Sequence, residues 1–161
     1  MGIQEDNAQI LAHLATLGTP GNTFEDFLSE PERGLRLLGG LQSFDPGHTG
    51  FRNQDIYAAA QGLCRIAEPL LSHLLDKFQS NERIRNREPG KKLLALLRTG
   101  PLVDRKSLNR VIATFYDDWP YAAHWRRDLY RIPQGGVTVM GLIFGGLQKL
   151  RDLLDEQTGL A

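Results

Sequence analysis

The sequence predicts an all-α fold, a compact single-domain helical bundle of about six to eight helices with its central helix kinked near Pro69. Three observations lead there. Apolar residues recur at three- and four-residue steps through most of the 161 residues. No two strand-like segments form a convincing pair, and no repeat of solenoid length appears. The 41% hydrophobic share and the balance of 19 bases against 19 acids describe a chain able to bury a core. One domain over residues 1–161 is therefore expected, compatible with a looser N-terminal helical lobe over residues 1–50.

Each element has its own signature. Ile10, Leu11, Leu14 and Leu17 share one helical face, and the Gly18-Thr-Pro-Gly21 turn stops that helix. Thr23 followed three residues later by Asp26 ties off the start of a short second helix. Pro31, just after Ser29, opens a third, carrying Leu35, Leu37, Leu38 and Leu41 and weakened by Gly34, Gly39 and Gly40. The longest stripe follows: Ile56, Ala60, Leu63, Cys64, Ala67, Leu71, Leu74, Leu75 and Phe78. Pro69 interrupts it, and a proline ring clashes with the carbonyl four residues back, so a kink or a break is expected there.

Residues 80–90 are polar and arginine-rich and read as a loop closed by Pro89-Gly90. A compact helix over residues 91–98 ends at Thr99-Gly-Pro101. Asp104 caps the cleanest amphipathic helix, with Leu108, Val111, Ile112, Phe115 and Trp119 on one face. Residues 121–130 form a further helix between Pro120 and Pro133. The last runs over residues 137–156, although the β-branched Val137-Thr-Val139 also suits an extended start.

Location follows from what the termini and apolar runs lack. Acids stand where a signal peptide needs bases, and Asp6 occupies the position where a myristoylation motif carries Ser or Thr. The most apolar window, residues 135–147, is shorter than the ~20 residues a spanning helix needs. The single cysteine, Cys64, excludes an intramolecular disulfide and a cysteine-built zinc site, so a reducing cytoplasm without membrane attachment is expected.

Neutral total charge hides a dipolar chain. Residues 1–57 hold eight acids against three bases, whereas residues 77–110 hold ten bases against three acids. Arg83, Arg85, Arg87, Lys91, Lys92, Arg105 and Lys106 are candidates for gripping nucleic-acid phosphates, because guanidinium forks bond phosphate oxygens in pairs. The plainer alternative is solvated side chains that balance the acidic N-terminal part. No base-reading motif accompanies the charge, so any binding should be backbone-directed and salt-sensitive.

Aromatics cluster as well. Phe115, Tyr116, Trp119, Tyr121, Trp125 and Tyr130 are six of the thirteen in the chain, with Arg126 and Arg127 interleaved. They suit base stacking, a protein interface or the core. Phe115, Trp119 and Trp125 read as core; Tyr116, Tyr121, Tyr130, Arg126 and Arg127 read as interface candidates. Gly141 and Gly145 leave a bare strip on the last helix, to be filled by a neighbouring helix of the same fold or by a partner subunit.

Catalytic patterns are thin. Asp117, Asp118 and His124 come nearest to a metal set, but adjacent aspartates diverge on a helix and Pro120 intervenes. Capping carboxylates are the simpler account. Cys64 lies within the apolar stripe and should behave as a small buried hydrophobe. No catalytic residue, metal ligand or cofactor is expected, and phosphate-loop and dinucleotide glycine patterns are missing. Residues 107–154, a helix ending in Asp-Asp-Trp-Pro, a second Trp and a glycine-bearing apolar helix, resemble the helical C-terminal part of DGQHR-type proteins. That resemblance implies a component of a DNA-modification or defence system, although the signature motif of the group is not found here.

The residues thus point to a non-enzymatic accessory subunit of a larger assembly, contacting nucleic-acid backbone through the basic segment. The alternative is a protein–protein adaptor, chaperone or scaffold subunit, homo- or hetero-oligomeric. It would work through residues 115–131 or the glycine-bearing last helix.

Overall fold

The computed structural model describes residues 3–30, 50–77, 88–100, 102, 104–116 and 139–156. Among them are six helices and no strand: α1 (Ile3–Ala15), α2 (Phe24–Ser29), α3 (Asn53–Lys77), α4 (Glu88–Arg98), α5 (Arg105–Tyr116) and α6 (Val139–Glu156). The fold is all-α, as the periodicity predicts. The expected helices over residues 31–44 and 121–130, Phe78 and Trp119 lie outside the described residues.

Helix α3 is the hub. It contacts α1, α2, α4 and α6, while α5 joins α4 to α6. Surrounded on several sides, it buries ten side chains between Ile56 and Leu75, including Ala59, Ile66 and Leu70, which a single-stripe reading leaves out. The helix runs unbroken through Pro69. A proline in a helix interior costs about 3 kcal/mol. Each buried leucine or isoleucine returns roughly 1.5–3 kcal/mol, so packing holds the helix together across the proline.

The tightest seam is between α1 and α3. Leu11, Leu14 and Leu17 are buried there, and Gly62 lets the two backbones meet: a Cβ on Gly62 would sit 1.8 Å from the Leu14 carbonyl oxygen. One turn further along α3, Arg65 closes the C-terminal end of α1. Its Nε donates to the Leu17 carbonyl and its Nη2 to the Ala15 carbonyl, each at 2.7 Å. These are carbonyls that a helix end leaves without intrahelical partners, and a cation there also complements the helix dipole. Gly18, at φ +83°, turns the chain away beneath the Arg65 side chain.

The short helix α2 starts as its sequence predicts. The Asp26 amide donates to Thr23 Oγ1 at 3.2 Å, and the Thr23 amide donates to Asp26 Oδ2 at 2.9 Å. Helix α4 departs from expectation, beginning at Glu88 instead of residue 91. Pro89 falls in its first turn, where a missing N–H costs nothing, so Pro89-Gly90 opens the helix and does not close a loop. Asp104 caps α5 as predicted, accepting from the Ser107 amide at 2.7 Å and the Ser107 hydroxyl at 2.8 Å. Val139 is helical, and Val137 and Thr138 lie outside the described residues. Phe115 of α5 stacks on Phe144 of α6, ring centroids 3.9 Å apart and 11° from parallel. Among the described residues no helix is long and apolar enough to cross a membrane.

Candidate functional site

Among the described residues, some cations of the basic segment are held in ion pairs that link helices and others are exposed in the first turns of helices. Arg83, Arg85 and Arg87 lie outside the described residues. Lys91 and Lys92 are exposed in the first turns of α4, and Lys91 Nζ approaches Glu88 Oε1 at 3.4 Å. Arg98, at the other end of α4, donates to Glu68 of α3 at 2.6 Å. Arg105 opens α5, and its Nη2 reaches Asp155 Oδ1 of α6 at 2.6 Å. The sequence groups Arg105 with Lys106, but the helix sends the first across to α6 and leaves the second exposed.

Lys106 and Arg110, one helical turn apart on α5, line a cleft of about 300 Å³ together with Thr99, Leu102, Asp104 and Ser107. The Asp104 carboxylate is held below the usual aspartate range, first by the Ser107 amide and then by the Ser107 hydroxyl. It is therefore charged at neutral pH and fixed on its own helix as a cap.

Leu102 also lines a second cleft, of about 590 Å³, over the first half of α3. Asn53, Gln54, Tyr57, Gln61 and Arg65 form its floor. Gln61 Oε1 accepts the Leu102 amide, which pins the α4–α5 link to α3. Tyr57 is half-buried, and burial raises its hydroxyl pKa, with Asp104 and Asp155 adding to the rise and Arg105 opposing it. The phenol stays protonated at neutral pH. Tyr57 was not among the sequence candidates; the signal was an aromatic in the four-residue steps Asn53, Tyr57, Gln61 and Arg65, along the margin of the stripe that carries Ile56 and Ala60, and its ring packs partly against the core.

Of the interface candidates, Tyr121, Tyr130, Arg126 and Arg127 lie outside the described residues. Tyr116 is half-buried, its ring edge-on to Phe115 with centroids 5.0 Å apart. Gly141 and Gly145 lie on the half-exposed face of α6. Among the described residues nothing fills the strip at Gly145, where an added Cβ would meet nothing within 4 Å. Gly62, by contrast, does admit another backbone.

Asp117, Asp118 and His124 lie outside the described residues, among which no three His, Cys, Asp or Glu side chains gather as a metal set. Cys64 is buried, and desolvation pushes its thiol up to about 12 despite the nearby Arg65 charge. Compared with known proteins, the chain matches no family model, no curated protein and no solved structure. The resemblance of residues 107–154 to DGQHR-type proteins gains no support from those comparisons.

Proposed function

We propose that this chain is a non-enzymatic helical binding subunit of a larger assembly, contacting nucleic-acid backbone through the basic α4–α5 hairpin and the arginines that precede it. One observation supports the reading: Lys106 and Arg110 share a cleft, and although the Asp104 carboxylate lines it too and feels the Lys106 charge, no carboxylate among the described residues comes within ion-pair distance of either. Around them, residues 88–110 hold six bases and two acids. Three other described groups are accounted for structurally: Arg65 caps α1, Asp104 caps α5, and the buried Cys64 thiol stays neutral.

Titration of a labelled duplex at several salt concentrations tests the reading. If Lys106, Arg110 and the three arginines Arg83, Arg85 and Arg87 each meet a phosphate, the log–log slope is near −4.5, about −0.9 per contact. Lys106→Glu with Arg110→Glu should weaken binding and flatten that slope while the melting temperature barely moves. Salt-insensitive binding, or no binding at low salt, rejects the reading.

The second reading, a protein–protein adaptor, rests on the strip at Gly145, which no described residue covers, beside the half-buried Leu142 of α6. It predicts self-association or partner capture that salt hardly affects. For the homo-oligomeric form, light scattering should show a mass above 18.0 kDa that returns to monomer in Gly145→Arg.

A further inference from the structure

We infer that the preferred ligand is single-stranded nucleic acid, with a phosphate between Lys106 and Arg110 and an adjacent base on Tyr57. This rests on the nucleic-acid reading and sharpens it. The two clefts meet at Leu102, which lines both. One holds the two cations beside the Asp104 carboxylate; the other is lined by Tyr57, which is half-buried against the core and close enough to the start of α5 to feel the charges of Asp104 and Arg105.

The first cleft, about 300 Å³, suits a phosphodiester group, and the second, about 590 Å³, exceeds what a single base needs. Both volumes fall in the range of roughly 300–1,000 Å³ typical of ligand sites. Charge complementarity selects the phosphate. Within the larger cleft, Arg65 and Gln61 already hold backbone partners, Asn53 and Gln54 add exposed amides, and Tyr57 is the aromatic among the described lining residues. An aromatic face next to a phosphate site matches a strand whose bases are free to swing out. In a duplex the bases remain inside the stack while the phosphates line the outside. Ring stacking tolerates any base, so the preference is for strandedness and not for sequence.

The test compares a labelled oligo-dT of about 15 nucleotides with a duplex of equal length, for the wild type and three variants. The expected result is tighter binding of the single strand. Tyr57→Leu should weaken single-strand binding by about five- to a hundred-fold and leave duplex binding unchanged, whereas Tyr57→Phe keeps the preference. Lys106→Glu with Arg110→Glu should weaken both and lower the single-strand salt slope by about 1.4.

Equal affinity for duplex and single strand, or an unchanged Tyr57→Leu variant, overturns the inference while the broader reading stands. Failure of the wild type to bind either probe at low salt overturns both. Should Tyr57→Leu fail to fold, quenching of a 2-aminopurine placed within oligo-dT decides on the wild type. Quenching on binding supports the stacked base, and unchanged emission overturns it.

Discussion

The α1–α3 seam and the α4–α5 hairpin both use arginine, and they use it differently. At the seam, Arg65 is half-buried and meets two backbone carbonyls at 2.7 Å, next to a point where only glycine fits. On the hairpin, Arg98 and Arg105 form ion pairs whose side chains remain about half exposed, 54% and 47%. A charge that closes a helix end in a partly desolvated seam fixes geometry. A charge paired in water contributes little and can be exchanged for a ligand phosphate at small cost. The seam is therefore where stability resides, and the hairpin is where binding can be added without disturbing it.

The strongest way to break this contrast is Gly62→Ala. In an exposed helix interior that change stabilises by about 1 kcal/mol. Here the new methyl would lie 1.8 Å from a backbone oxygen that cannot rotate aside, so α1 must move off α3. A loss of about 3 kcal/mol or more is expected. For a chain of this size that is a drop in Tm of roughly 6–12 °C, read by thermal melting. Next comes Arg65→Met, which keeps the aliphatic stem and removes both hydrogen bonds. It should cost about 2 kcal/mol, with hydrogen exchange accelerating first at the last turn of α1. If Arg65→Met melts with the wild type, the seam is apolar packing alone.

These two residues also show what sequence reading reaches. The stripe from Ile56 to Leu75 announces its helix, and Thr23-x-x-Asp26 and Asp104-x-x-Ser107 announce their caps, because each signal lies within one turn of chain. The α1–α3 contact joins Leu14 to Gly62, and no local pattern distinguishes a glycine beneath another backbone from one that is merely tolerated. At Gly145 the described residues bring no backbone close, and the helix expected over residues 121–130 lies outside them. Ala59, Ile66 and Leu70 were missed, since a helix touched on several sides buries more than one stripe. At the candidate site the sequence gives the charge count but not the pairing. Arg105 and Lys106 are neighbours in the chain, and their backbone directions differ by about 100° on the helix, enough to hand one to Asp155 and leave the other exposed.

The hairpin's side of the contrast is sharpened by a double-mutant cycle on Arg105 and Asp155. With both side chains between 43% and 47% exposed, solvent screens most of the attraction. The coupling should stay below about 1 kcal/mol and shrink as salt is added. A coupling as large as the loss in Arg65→Met would erase the distinction between the regions. Cys64 reports on the core near the seam without any mutation. Its buried thiol, pushed up to about 12, should resist a thiol reagent at neutral pH until the protein opens. The labelling rate should rise in Gly62→Ala in step with the lost stability, and remain slow in Arg105→Gln.

The smallest effect belongs to Asp104, an exposed cap on α5 and part of the cationic cleft. Its folded pKa is depressed, because the Ser107 amide and hydroxyl hydrogen-bond the charged form. The sign follows from linkage: the unfolded chain binds the proton more readily, so this contribution is complete above the unfolded aspartate range and is lost as pH falls through the folded value. Acid melts should therefore lose a small increment of stability below about pH 4 that Asp104→Asn does not show. Asparagine still caps the helix but cannot titrate. The same substitution removes a negative charge from the cleft between Lys106 and Thr99, so it should strengthen nucleic-acid binding at neutral pH while stability barely changes. One variant thus moves the two regions' properties apart: a gain in affinity without a gain in Tm places binding on the hairpin, whereas weaker binding would mean that Asp104 contacts the ligand.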